Sequence, residues 1–341
     1  MIKPLRILVL MHPTLVPPDS LKGFSADEIN VWKTEFDVVN TLRKLGHEVR
    51  PLGVQDGLDP IRVAAEEWKP DVVFNLLEEF YGLSNFDQHV VSYLELLKLP
   101  YTGCNPRGLV LARSKALTKK IAQYHRVRVP VFMVVARGNR PKRPASLKFP
   151  LFVKSVSEES SLGISQASVV DSDEKLAERV RFIHEHLETD ALVEQYVEGR
   201  ELYVGVIGNE RLKVLPVWEL DFGKLPETGE PIATAHVKHN PEYQKKHGID
   251  IRRADDLNPA VERALQRTTR RVYRMLELDG YARVDYRLTA ANEIYLLEAN
   301  PNPEIAEKEE FASAAAASGL KYKPLLQRLV QLGLSRSGRP D

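Results

Sequence analysis

Cysteine is nearly missing from this 341-residue chain, which has only Cys104. One thiol excludes an internal disulfide and a thiolate-rich zinc site. It suits a reducing compartment, so a cytoplasmic location is expected. Charge of one sign is not in excess either: 48 Lys and Arg stand against 47 Asp and Glu. That balance argues against a protein that coats nucleic acid or an anionic membrane, and neither is expected as a partner. No segment approaches the roughly 20 apolar residues that span a bilayer. Ile7 to Met11, after Lys3 and Arg6, imitates a signal peptide but is too short. Pro13 and Pro17 interrupt it before any small-residue cleavage site, so a first buried strand is expected there. There is no Gly-Lys-Ser/Thr phosphate loop, no internal repeat, and no pattern resembling a Ser-His-Asp triad.

What remains is ordinary globular composition, 43% hydrophobic and 28% charged. The length suggests two domains, or three small ones. Apolar runs at Leu5 to Met11, His47 to Leu52 and Asp71 to Asn75 read as strands. Helical stretches from Asp27 to Leu45, Ile61 to Trp68 and Asp87 to Lys98 alternate with them. Alternation of this kind implies parallel βαβ units, hence an N-terminal α/β domain over residues 1–112. Helices are expected at Ser114 to Tyr124 and Asp173 to Leu187, with strands at Val129 to Val135, Leu151 to Ser155, Ala191 to Gln195 and Glu201 to Ile207. A strand through Trp218 follows. Asp221 to Asp256 reads as a long irregular segment, of the sort that forms functional lids. A helix over Pro259 to Leu276 precedes two strands, Tyr281 to Leu288 and Glu293 to Ala299, and two helices at Glu309 to Ala317 and Pro324 to Leu332. Residues 335–341 read as a frayed tail.

The sharpest chemical signal is that last strand pair. A two-residue turn at Ala291-Asn292 sets Asp285 opposite Glu298 and Arg283 opposite Asn300, all on one face. Facing carboxylates repel, so something must compensate. One solution is a divalent cation on Asp285, Glu298 and Asn300, whose oxygens suit Mg²⁺. The other is a surface hairpin in which Arg283 neutralises Asp285. A second signal is Lys154, which ends a strand before Ser-Val-Ser-Glu-Glu-Ser-Ser-Leu-Gly163. Small-residue loops can cover phosphates, though a solvated turn is the simpler reading. A third is Glu194 and Glu201, which flank Val197-Glu-Gly-Arg200 at strand edges. Such carboxylates accept hydrogen bonds from an adenine amine or ribose hydroxyls, or are merely solvated.

Taken in order, these segments resemble the ATP-grasp superfamily and, within it, the D-alanine–D-alanine ligases. The carrying stretches are Leu99-Pro-Tyr-Thr-Gly103, Arg113-Ser-Lys-Ala116, Phe152-Val-Lys154, Glu159-Ser-Ser-Leu-Gly163, Leu192-Val-Glu-Gln-Tyr-Val197 and Leu296-Leu-Glu-Ala-Asn300. The resemblance implies an α/β ATP-grasp fold behind an N-terminal open parallel-sheet domain. It divides the remainder into residues 113–197, with a phosphate loop, and 198–334, with a metal site. It implies that Lys115 and Lys154 bind ATP phosphates, and that Ser160 and Ser161 sit on the loop over them, Ser160 counted with the catalytic residues. It implies adenine at Glu194 and the Val197 backbone, ribose at Glu201, and Mg²⁺ or Mn²⁺ at Asp285, Glu298 and Asn300. Arg283 would meet charge on the reacting carbonyl. Lys238 is a further phosphate contact on this reading, although Ala235-His-Val-Lys-His239 departs from the family pattern. The implied chemistry joins a small carboxylate to an amine through an acyl phosphate, in an enzyme that is commonly a homodimer.

The substrate half departs from the family. Asn300-Pro-Asn-Pro-Glu-Ile-Ala-Glu-Lys-Glu-Glu310 replaces a segment that binds a substrate carboxylate, and Asn75-Leu-Leu-Glu-Glu-Phe-Tyr-Gly82 replaces another. Glu304 stands at a glycine position and Glu309 near that of a serine. Two readings follow. Glu304, Glu307 and Glu309 favour a cationic acceptor, or the acidic run sits at a helix N-terminus. The expected enzyme is therefore a related ligase with a rebuilt pocket. The alternatives are a ligase that tails a larger peptide or uses another nucleophile, and a nucleotide-binding regulator without turnover.

Overall fold

The computed structural model describes residues 3–157, 163–224, 231–234, 237 and 240–338. Strands β1 (Arg6–Met11), β2 (Glu48–Gly53) and β3 (Val72–Asn75) form a parallel sheet in the order β2-β1-β3. The middle strand is the apolar run Ile7 to Met11, wholly buried because helices cover both faces. Parallel neighbours need long crossovers, and helices Lys33–Lys44 and Asp59–Val63 lie within them. The expected N-terminal open sheet is thus present.

Two antiparallel sheets follow. One has β4 (Phe132–Val135), β5 (Leu151–Ser155), β6 (Val169–Val170) and β7 (Ala191–Gln195) in the order β4-β7-β5-β6. The other has β8 (Arg200–Ile207), β9 (Lys213–Asp221), β10 (Asp250–Arg253), β11 (Tyr281–Leu288) and β12 (Ile294–Pro301) in the order β10-β9-β8-β11-β12. Helix Asp173–His186 backs the first sheet, placing Leu176, Val180 and Ile183 against Leu151, Val153 and Val193. Helix Pro259–Met275 backs the second with Val261, Leu265 and Val272. The last helix, Tyr322–Leu334, returns to the parallel sheet. Its Leu325, Leu326, Leu329 and Val330 share a core with Ile7, Val9 and Phe74.

Several expectations are corrected. The helix expected from Asp27 to Leu45 is two, Ala26–Val31 and Lys33–Lys44. They break at Trp32, whose indole donates to the Thr14 carbonyl (3.1 Å) and stacks edge-on against Phe24. The long irregular segment contains helix Pro241–His247 and strand β10. Asn240 caps that helix by accepting from Tyr243 N–H (2.9 Å), with proline in its first turn. The tail is not frayed over its first residues. Ser335–Gly338 is a 3-10 turn, and the Arg336 guanidinium bonds the Gly103 carbonyl, pairs with Asp279 (2.8 Å) and lies over Tyr101.

Two glycines fix how the chain crosses itself beneath the tail. Gly103 and Gly280 both have positive φ, 91° and 70°. A side chain on Gly280 would meet the Gly103 carbonyl at 2.4 Å, and one on Gly103 would meet Asn302 at 2.6 Å. Asn302 needs that space because its amide oxygen accepts from Cys104 N–H (2.7 Å). Asn302 lies two residues beyond Asn300, so this crossing holds one end of the cleft strand in place.

Candidate active site

A cleft of about 410 Å³ opens where the parallel domain and both antiparallel sheets meet. The hairpin β11–β12 supplies its floor. Asp285 pairs with Glu298 and Arg283 with Asn300, as expected from the alternation. The route to that register differs. Thr289 and Glu293 close a three-residue turn ending on Asn292 in the left-handed region (φ 60°), and a bulge between Asp285 and Tyr286 restores the pairing. The bulge also brings Leu297 to the cleft, against the expected alternation.

On this floor the Arg283 guanidinium grips Asp285 through two hydrogen bonds, 2.8 and 2.9 Å. Its third arm reaches Glu310 (3.1 Å), and its plane lies 4.7 Å over the Tyr203 ring. Burial opposes the arginine's charge, but Asp285 and Glu310 outweigh it and hold its pKa well above the ordinary value. Asn300 donates to Asp285 (3.0 Å), and the Lys115 ammonium stands 3.9 Å from Glu298. Arginine neutralisation of Asp285 and an oxygen-rich face toward the cleft are therefore both present.

Lys154, on β5, and Glu194, on β7, lie on neighbouring strands and join at 2.9 Å. Lys119, one helical turn beyond Lys115, reaches the same carboxylate at 2.8 Å and donates to the Leu297 carbonyl (3.0 Å). Both lysines and Glu194 are buried. Burial works against the Glu194 carboxylate, yet the two ammonium groups hold its pKa below the ordinary value. Burial likewise opposes Lys154, and Glu194 and Glu298 outweigh it. The cluster carries two positive charges against one negative, a surplus that faces the cleft through Lys154.

Glu201 accepts from the Tyr203 hydroxyl and from Arg287, each at 2.9 Å. Arg287 also bonds the carbonyls of Gly199 (2.8 Å) and Pro231 (2.7 Å) and lines the cleft. The acidic run after β12 splits in two. Glu309 stands just before helix Glu310–Ala317, where its side chain ion-pairs with Lys33 instead of capping, and Glu307 is exposed. Glu304 alone of the three lines the cleft, accepting from the Thr34 hydroxyl at 3.3 Å.

The structure thus brings Lys115, Lys154, Glu194, Val197, Glu201, Arg283, Asp285, Glu298 and Asn300 to one cleft. Ser160, Ser161 and Lys238 lie outside the described residues. Sequence reasoning missed Lys119, Arg287, Glu35 and Glu78. Arg287 was within reach, because alternation puts it on the face of Arg283 and Asp285.

Residues 121–331 match the family model described as D-ala D-ala ligase C-terminus. An uncharacterised protein of Sinorhizobium fredii, y4sG, is 29% identical over 306 residues, covering 88% of this chain and 87% of that one. A D-alanine–D-alanine ligase of Desulfotalea psychrophila is 31% identical over 281 residues, covering 81% and 82%. Among solved structures, the D-alanine–D-alanine ligase of Bacillus anthracis complexed with ATP superposes with a TM-score of 0.75 at 21% identity, over 98% of each chain. The protein accordingly belongs to the D-alanine–D-alanine ligase family, with the ATP-grasp fold, and is an ATP-dependent, ADP-forming carbon–nitrogen ligase.

Proposed function

We propose that this enzyme joins a small carboxylate to an amine as an amide or peptide-like bond through an acyl phosphate. The observation that carries the reading is the cleft floor. There Arg283, Asp285, Glu298 and Asn300 share one face, with Lys115 and Lys154 at its side.

ATP lies with its phosphates toward Lys115 and Lys154 and its adenine along the linker at Val197. Glu194 acts chiefly through Lys154, since both lysines already engage its carboxylate. Glu201, held by Arg287, presents its edge to the ribose. A substrate carboxylate oxygen attacks the γ-phosphorus, and the bond to the β-phosphate oxygen breaks, releasing ADP. The amine nitrogen then attacks the acyl carbon, and phosphate leaves with the C–O electron pair. The substrate ammonium gives up two protons in all, one to phosphate and one to solvent. Charge grows on the carbonyl oxygen in this step, and Arg283, held in place by Asp285 and Glu310, is positioned to meet it.

The donor set fits Mg²⁺ or Mn²⁺. Two carboxylates and an amide supply hard oxygen ligands, with Arg283 on Asp285 and Lys115 3.9 Å from Glu298 beside them. When bound there, the metal neutralises phosphate charge. The reading includes unit boundaries near Ala112 and Val197, a homodimer, and a cytoplasmic location in keeping with one buried thiol.

The test is ADP release from Mg-ATP against D- and L-amino acids, β-alanine and polyamines. Acceptor-dependent release that Asp285→Asn abolishes supports the reading. ATP binding with no release for any acceptor overturns it.

A further inference from the structure

One end of the cleft is lined by acids from three separate segments. Glu35 comes from helix Lys33–Lys44, Glu78 from the segment after β3, and Glu304 from the segment after β12. Glu78 and Glu304 are exposed to the cleft, whereas Glu35 is 6% exposed. Among the described residues no cation and no donor from another residue reaches Glu35, whose carboxylate accepts only from its own backbone N–H. A nine-tenths-buried carboxyl aimed into an open cleft either keeps its proton or, once ionised, is costly unless a ligand brings a counter-ion.

The cations nearby are committed elsewhere. Lys33 pairs with Glu309, and Arg283 with Asp285 and Glu310. Burial raises the Glu35 carboxyl, and Glu78 and Glu304 raise it further, so the three acids share one field. Among the described residues no three acidic, histidine or cysteine side chains converge closely enough to hold a metal ion. Charges that share a volume but no point suit an organic cation with its own charges set apart. They also repel a free carboxylate, which selects against an amino-acid acceptor.

We propose that this acidic end binds the amine acceptor, and that the acceptor is a diamine whose second ammonium takes the place of a carboxylate. One substrate must carry the carboxylate that is phosphorylated, so the acids are assigned to the other. The inference rests on the ligase reading above.

The probes are 1,4-diaminobutane, butylamine and 4-aminobutanoate, the last differing from the first in one end group. Calorimetry with Mg²⁺ and a non-hydrolysable ATP analogue gives each dissociation constant, and ADP release gives turnover. The expected result is diamine binding at least tenfold tighter than either other probe. Glu35→Gln and Glu304→Gln should each weaken it at least fivefold and leave nucleotide affinity unchanged. Glu78→Gln, at an exposed position, serves if a buried substitution fails to fold. Equal or tighter binding of 4-aminobutanoate, or a diamine affinity indifferent to these variants, overturns the inference. ADP release with amino acids but not with the diamine also overturns it and leaves the ligase reading standing. Selective diamine binding without ADP release for any acceptor supports the site and refutes the ligase reading.

Discussion

Lys119 shows how much a single side chain decides in this cleft. It holds Glu194, which holds Lys154. Removing one partner of a buried charge cluster typically costs 3–5 kcal/mol, roughly, because the remaining charge is stranded. Glu194→Gln strands both ammonium groups and should therefore destabilise the fold by about that much, measured by urea unfolding. Adding Lys119→Met should recover part of the loss. A double variant no more stable than the single one would refute the coupling. Glu35 makes a second prediction. Its pKa in the fold, about 7, lies above the 4.5 of an ordinary glutamate. Between those values the folded state holds more proton than the unfolded chain, so stability falls as pH rises through this window and then levels. Glu35→Gln should leave stability unchanged near pH 4 and raise it by on the order of 3 kcal/mol at pH 8. Thermal melts at the two pH values check this, and an equal gain at both would contradict it.

Among the elements, the cleft hairpin was largely legible in the sequence. Period-two alternation from Tyr281 to Leu288 puts Arg283 and Asp285 on one face, and register carries that to Glu298 and Asn300. The bulge was not legible, because one extra residue leaves no periodic trace, and two turn lengths give the same pairing at Asp285. Lys119 was hidden for a different reason. In Lys-Ala-Leu-Thr-Lys-Lys it looks like any solvated helix lysine, and only tertiary packing buries it. The turn itself can be tested. Asn292 sits at φ 60°, where a β-branched side chain is strained. Asn292→Val should cost about 1–2 kcal/mol, and Asn292→Gly almost nothing, by denaturant midpoint. Equal losses would mean that the turn conformation does not matter. The end of the chain was read as loose because its sequence is polar. Burial of Arg336 depends on Asp279 and Tyr101, which lie far away in sequence.

For the molecule as a whole, the parallel sheet and the large antiparallel sheet share a core, while the four-stranded sheet packs on its own helix. One apolar cluster runs from Leu8 and Val73 of the parallel sheet to Val204 and Val284 of the large antiparallel sheet. A ligand gripped in the cleft should then stabilise the parts together. A nucleotide analogue with Mg²⁺ at 100 times its dissociation constant adds roughly 2.7 kcal/mol of linkage stabilisation. Calorimetric scans should show one transition moving upward as a unit. A ligand-sensitive step separated from an insensitive one would argue for independent parts.

The return of helix Tyr322–Leu334 to the first sheet has a consequence for synthesis. Ile7, Val9 and Phe74 leave the ribosome early, soon followed by Val38 and Leu42 that pack on them, but the Leu325 to Val330 surface that completes their cover emerges far later. Part of one face of the first domain therefore stays uncovered while both antiparallel sheets are made, and apolar surface exposed in this way invites association. Emergence of helix Tyr322–Leu334, rather than completion of the first domain, is the moment at which that face is sealed.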